Sequence, residues 1–317
     1  MQIQTVPFEG WPHNAALSNH HAELIITLDV GPRVISYRTP HSHNVFKNYA
    51  GQMGGSGEPD WMIRGGHRLW VAPEGALSYD LDNSPVRHEM LPNGIRMENT
   101  PVAPWSLRKI LTVTLAEDSS EVTVHHKVIN ESDKPMEISS WALSVMAPGG
   151  LEIIPLPELG EHPGDILPLL ESGASLSGFL PNRLIVPWPY TDMTDPRYRF
   201  GSEFITLRQT HDGGPTKLGL AHKEKWVAYL NGETLFVKKF DYEEGAAYTD
   251  FGCNFETYSN EEMLEIETLS PLRTLKLGEA VEHTEKWYLL GDVAQPPSLH
   301  EEDLGEWIAP LLEKLGV

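Results

Sequence analysis

The chain has 317 residues, enough for one large domain or two ordinary ones. It carries 24 Lys and Arg against 45 Asp and Glu, a formal charge of −21, which argues against a basic face for nucleic acid or an anionic membrane. A lone Cys253 excludes an intramolecular disulfide, and neither a signal-peptide pattern nor a run of about 18 apolar residues is present, so the expected location is the cytoplasm.

Many short segments follow one another, punctuated by 27 Gly and 25 Pro. In 22–34, AELIITLDVGPRV, the residues Leu24, Ile26, Leu28 and Val30 alternate onto one face, as in a half-buried strand. In 121–129, EVTVHHKVI, Val122, Val124, His126 and Val128 share one face and Thr123, His125 and Lys127 the other. The stretch 151–173 is apolar but interrupted by prolines, and is expected to cross irregularly between sheets. Segments 233–240 and 285–290 are rich in β-branched and aromatic residues. Turn clusters at 117–120, 130–135, 211–215 and 231–233 separate such strands. One helix is expected near the C-terminus, where Leu304, Trp307, Ile308, Leu311, Leu312 and Leu315 recur at helical spacing. Ser298 and Glu301 have capping-box spacing, and Pro310 predicts a kink or break. The pattern predicts an all-β fold of antiparallel sheets over 1–295, with a C-terminal α-helix over 296–317 packed on it.

Two stretches carry the chemistry. The first, MIRGGHRLWVAPEG at 62–75, sets reactive side chains around Gly65-Gly66, where the backbone can turn or approach a ligand. Arg64 and Arg68 offer planar donor forks, His67 a proton donor or acceptor near neutrality, Trp70 a stacking surface and Glu74 an acceptor. A plain turn with an Arg–Glu pair and a buried Trp fits the same residues. The second is the strand around 263–269, where Glu265 and Glu267 share a face with Met263, opposite Leu264 and Ile266. Two glutamates on one face of a strand run against β propensity and point to a cleft, unless they simply face solvent. The adjacent pairs His20-His21 and His125-His126 point to opposite strand faces and chelate poorly, while His41 and His43 lie in a turn. No cofactor motif is present, although a calcium ion held by carboxylates needs no local motif.

Four patches taken in order resemble a known family: DVGPRVISY, RGGHRLWVAPE, VINESDKPMEISSWALSVM and MLEIETLSPLRTLKLGEAVEHTEKWYLL. Together they are similar to the aldose 1-epimerase, or galactose mutarotase-like, superfamily, in its uncharacterised bacterial branch. The resemblance implies a β-supersandwich binding a small-molecule sugar or sugar acid in an open cleft. It also implies that a glutamate followed by threonine takes the anomeric proton, matching Glu267-Thr268, with Glu265 as fallback. The family's acid histidine has no counterpart in SSWALSVM, which carries Trp141, so the resemblance leaves His67, the counterpart of the family's sugar-binding histidine, as the candidate acid, or an arginine to stabilise the open form. Arg64, Arg68, Trp70, Glu74, Trp141 and Glu265 are expected to bind substrate, with Asp250 and Lys225 placed on the rim by position alone. A non-catalytic sugar-binding protein, and a uronide lyase or glycoside-processing enzyme on the same sandwich, are the alternatives. Nothing in the sequence sets the oligomeric state.

Overall fold

The computed structural model describes residues 2–317 except 161, 163, 165, 174 and 176–179. Two antiparallel sheets, of eleven and ten strands among the described residues, account for most of it. The larger starts with the hairpin Gln2–Phe8 and Trp11–Ser18 and continues through Glu23–Thr27 and Arg33–Arg38. Its centre is Gly66–Ala72, Met136–Met146, Leu264–Leu269, Phe255–Ser259 and Thr216–Leu220, in that spatial order. The smaller sheet has Leu151–Pro155, Trp226–Asn231, Thr234–Phe240, Ala280–Leu290, Val122–Asn130 and Leu107–Leu115 side by side. The expected all-β architecture of antiparallel sheets with a C-terminal helix is what the chain forms.

The inner faces of the two sheets make one core. Leu24, Ile26, Leu28, Leu69 and Ile266 of the large-sheet side meet Val122, Val124, Val128, Phe236 and Trp287 of the other sheet. Val30 departs from the face expected for it. The strand ends at Thr27, a register irregularity falls between Ile25 and Ile26, and Val30 packs with Trp11, Ile25 and Ile35 in a separate cluster. On the outer face of the small sheet, the helix Glu301–Leu315 lays Leu304 and Ile308 against Leu151, Ile153, Leu230 and Val237. The expected capping box does not form: the helix starts at Glu301 with His300 as its N-cap, and the Glu301 carboxylate accepts the Glu203 N–H at 2.6 Å. Nor does Pro310 break the helix: an apolar stripe buried on the sheet outweighs the roughly 3 kcal/mol cost of proline. Segment 151–173 begins as a strand and includes a short helix, Leu167–Ser172; its positions 161, 163 and 165 lie outside the described residues. No helix among the described residues is long and apolar enough to cross a membrane.

Candidate functional site on the outer face of the large sheet

Strand alternation decides which side chains share a surface. Along Gly66–Ala72, Leu69 and Val71 join the sandwich core, while Arg68 and Trp70 point the other way. In the neighbouring strand Leu143 stands opposite Arg68 and Trp141 opposite Trp70. Glu267 then pairs with Leu143 and Glu265 with Val145. The next hairpin partner sets Glu256 opposite Glu267 and Tyr258 opposite Glu265, and Lys217 lies opposite Tyr258. Five strands therefore bring their polar and aromatic positions to one outer face.

Glu267 is the hub of that face. Its Oε2 accepts hydrogen bonds from Trp141 Nε1 and Lys217 Nζ, both at 2.9 Å. The same ammonium lies 2.7 Å from Glu256 Oε2, and Glu256 stands directly opposite Glu267 in the strand register. Both are only 1% exposed. Burial pushes both above the ordinary carboxylate range, with Lys217 pulling each back down. For Lys217 burial opposes the charge, yet Glu267 and Glu256 outweigh it and hold the ammonium protonated. Trp141 and Trp188 flank that ammonium, each ring centroid 4.8 Å away. The cleft expected to be open is thus covered at its centre.

Beside this hub, Arg68 pairs with Glu265 at 3.0 Å and lies over Trp70 at 4.5 Å and Trp61 at 5.5 Å. Trp61, Trp70, Tyr79 and Trp141 form a chain of rings with centroids 4.9–5.5 Å apart. Glu74 accepts the Tyr79 hydroxyl at 2.6 Å rather than pairing with an arginine. Buried polar atoms without partners collect here: Arg68 Nε and Nη1, the Trp61 and Trp70 indole nitrogens, and Glu256 Oε1. Each such atom costs about 1–3 kcal/mol if nothing bonds to it.

His67 is not on this face. As the neighbour of Arg68 in an extended strand it must point the opposite way, into the sandwich, where it is fully buried. There it meets His126 of the other sheet, Nε2 to Nε2 at 2.7 Å, and Ser144 Oγ through Nδ1 at 2.9 Å. The proton positions follow from the partners. The His283 carbonyl can only accept, so His126 carries its proton on Nδ1 and its Nε2 accepts from His67. His67 Nδ1 then accepts the Ser144 hydroxyl, whose oxygen accepts from Lys238 Nζ at 2.9 Å. Burial holds His67 well below its ordinary pKa, lowers His126 to about 3 and lowers His283 to about 4, so all three are neutral at pH 7. Burial opposes ionisation of Glu285, but Lys238 at 2.9 Å holds it well below the usual range.

His67, His126 and Glu285 are also the group of metal-ligand type among the described residues, their ligand atoms lying within 4.8 Å of one another. They could hold a soft divalent ion only by giving up bonds already made. Glu285 is engaged by Lys238, Thr268 and Trp287, and an ammonium stands where a cation would be repelled. Of the close histidine pairs, His20, His21, His41 and His43 are among the residues lining one cavity of about 580 Å³, whereas His125 and His126 lie on the small sheet.

The remaining expected residues scatter. Arg64 is buried with its guanidinium bonded to the Gln52 carbonyl at 2.6 Å and Glu58 at 2.5 Å, so it props the 50–64 loop. Asp250 sits at φ +51° in the turn before Phe255–Ser259, in the electrostatic field of Glu256. Lys225 caps a turn whose amide bonds to His222, a histidine packed against Phe240 and Phe255. Sequence reasoning missed Glu256, Lys217, Trp61 and Trp188. Glu256 was within reach: a hairpin closing around 260–263 sets position 256 against 267. Lys217 had no comparable signal, because its strand joins the sheet from 50 residues away.

No family model and no curated protein matches the sequence. Solved structures do. A galactose mutarotase-like protein from Lactobacillus casei ATCC 334 aligns with a TM-score of 0.54 at 13% identity, over 87% of this chain and 100% of that one. A galactose mutarotase-like protein from Clostridium acetobutylicum gives a TM-score of 0.52 at 11% identity, over 92% and 98%. A TPR-domain containing protein from Parabacteroides distasonis ATCC 8503 gives 0.56 at 13% identity, over 91% of this chain and 50% of its own. The two-sheet architecture is therefore galactose mutarotase-like, the fold that the four sequence patches imply. A fold shared this widely does not choose a reaction.

Proposed function

We propose that this chain binds a sugar on the outer face of its large sheet and interconverts the sugar's anomers, with Glu267 as the base. The observation that carries this reading is the convergence there of two buried carboxyls, a lysine and an aromatic wall. The partly exposed rings of Trp61 and Tyr79, backed by the buried Trp70, suit the C–H face of a pyranose. Anomer exchange needs a base, an acid and groups that position hydroxyls, with no cofactor. Because His67 lies behind the sheet, the acid has to come from Glu267's own side.

Saturation-transfer NMR on free aldoses and uronic acids tests the reading. Wild type should accelerate exchange for at least one sugar, and Glu267→Gln should lower that rate on the order of 10²-fold or more. Equal rates in the two proteins would remove Glu267 from the chemistry. One observation favours binding without turnover: Lys217 and Trp141 already occupy the Glu267 oxygen, and the carboxyl is almost wholly covered. Calorimetric binding of a sugar whose anomers exchange no faster would select that reading. Lyase chemistry on a uronide loses an expected anchor, since Arg64 is committed to Gln52 and Glu58.

A further inference from the structure

We propose that Glu256 is the proton donor of the site, forming with Glu267 a carboxyl pair that holds one proton and is clamped by Lys217. The inference rests on the isomerase reading above and supplies the acid that reading lacks.

The geometry comes first. Glu256 and Glu267 are direct cross-strand partners, and such pairs carry their Cβ atoms about 4.5–5.5 Å apart. Lys217 Nζ bridges them at 2.7 and 2.9 Å from their Oε2 atoms. One ammonium neutralises one carboxylate; two buried carboxylates that share it as their counter-ion do not both stay ionised, so one keeps a proton. Glu267 has the indole N–H of Trp141 as a further donor, which favours it as the anion. Glu256 has no such donor, and its Oε1 is unpartnered although the residue is 1% exposed. The proton therefore resides on Glu256, and burial supports that assignment.

A one-proton pair fits anomer exchange because both reacting oxygens are bonded to the same carbon. Glu267 removes the proton from the anomeric hydroxyl, and the O–H electrons become the second bond of a C1 carbonyl. The bond from C1 to the ring oxygen breaks, its electron pair goes to that oxygen, and Glu256 protonates it. Rotation about C1–C2 presents the other carbonyl face. Closure reverses each transfer: Glu256 takes the proton back from the chain hydroxyl as its oxygen attacks C1, and Glu267 returns its proton to the carbonyl oxygen. Atoms, electrons and protons balance with no co-reactant.

Two measurements on the full chain test this together. In the exchange assay, Glu256→Gln keeps the shape and polarity of the side chain but cannot transfer a proton. Its kcat should fall on the order of 10²-fold or more with KM changed only a few-fold. Wild type should lose rate at low pH as Glu267 protonates and at high pH as Glu256 ionises. The groups facing Glu256 are Lys217, Glu267, and Asp250 and Cys253 from the preceding turn. Infrared spectroscopy reads the pair without any sugar. A protonated-carboxyl band at neutral pH should vanish in Glu256→Gln, measured in a Glu152→Gln background because burial also keeps Glu152 protonated, with its pKa raised to about 8. A Glu256→Gln protein that retains wild-type exchange overturns the donor role. Absence of the band overturns the pair. A band present with no exchange of any sugar by wild type overturns the isomerase reading, and the donor role with it, while the carboxyl pair stands.

Discussion

At Lys217 one side chain decides the charge state of two others. Its ammonium lies 2.7 Å from Glu256 and 2.9 Å from Glu267, in a site closed by Trp141 and Trp188. Removing one partner of a buried ion pair leaves the other uncompensated, at about 3–5 kcal/mol. Lys217→Met should therefore destabilise the protein by roughly that amount at pH 8, measured by urea unfolding. The sign with pH follows from the carboxyls. Without the ammonium their folded-state pKa values rise further above the unfolded values, so the variant loses stability as pH increases and the deficit shrinks at pH 5. An equal deficit at both pH values would show that Lys217 is not their counter-ion.

Between the elements, the sandwich is joined by hydrogen bonds as well as by apolar packing. The chain from Lys238 of the small sheet through Ser144 and His67 of the large sheet returns to the small sheet at His126 and the His283 carbonyl. Its imidazoles are neutral when folded, whereas unfolded histidine takes a proton near pH 6.5. Their folded pKa values are depressed, so stability present above pH 6.5 is lost as pH falls toward about 3 for His126 and about 4 for His283. Each histidine adds a slope of up to about 1.4 kcal/mol per pH unit in that window. Glu285, also depressed, adds to the same trend at lower pH. His126→Gln should flatten the acid limb by one proton, seen in unfolding free energies from pH 4.5 to 7.5. An unchanged slope would place the acid sensitivity elsewhere. The glycines before His67 have a matching structural reason. A Cβ on Gly65 would lie 1.9 Å from the Lys47 carbonyl oxygen and one on Gly66 2.3 Å from that of Val34, and both residues have positive φ.

Across the whole molecule the layers run helix, small sheet, core, large sheet, candidate site. The helix and the site thus lie on opposite outer faces. Ile308 is buried under the helix against the small sheet, and Ile308→Ala should cost about 2–5 kcal/mol in unfolding free energy. Sugar affinity, measured by calorimetry below the unfolding transition, should not change. A loss of affinity matching the loss of stability would mean that the two faces are coupled through the core.

Several features were legible in the sequence because they depend on local periodicity. Alternation marked the strands, the helical stripe marked Glu301–Leu315, and two glutamates on one strand face marked Glu267 and Glu265. The same rule, applied one residue further, separates His67 from Arg68 and Trp70. The hairpin that follows Ser259 sets Glu256 against Glu267 for the same local reason. Other features depend on which strands become neighbours, and no local pattern encodes that. His67 and His126 meet across 59 residues, and Lys217 reaches Glu267 across 50. Those contacts follow from sheet order, which is set by burying two apolar inner faces against each other over the whole chain. The strand faces, the helix and the acidic strand follow from local pattern. The place of His67 in the core, and the lysine that closes the carboxyl pair of the outer face, follow from the order of strands in the folded sheets.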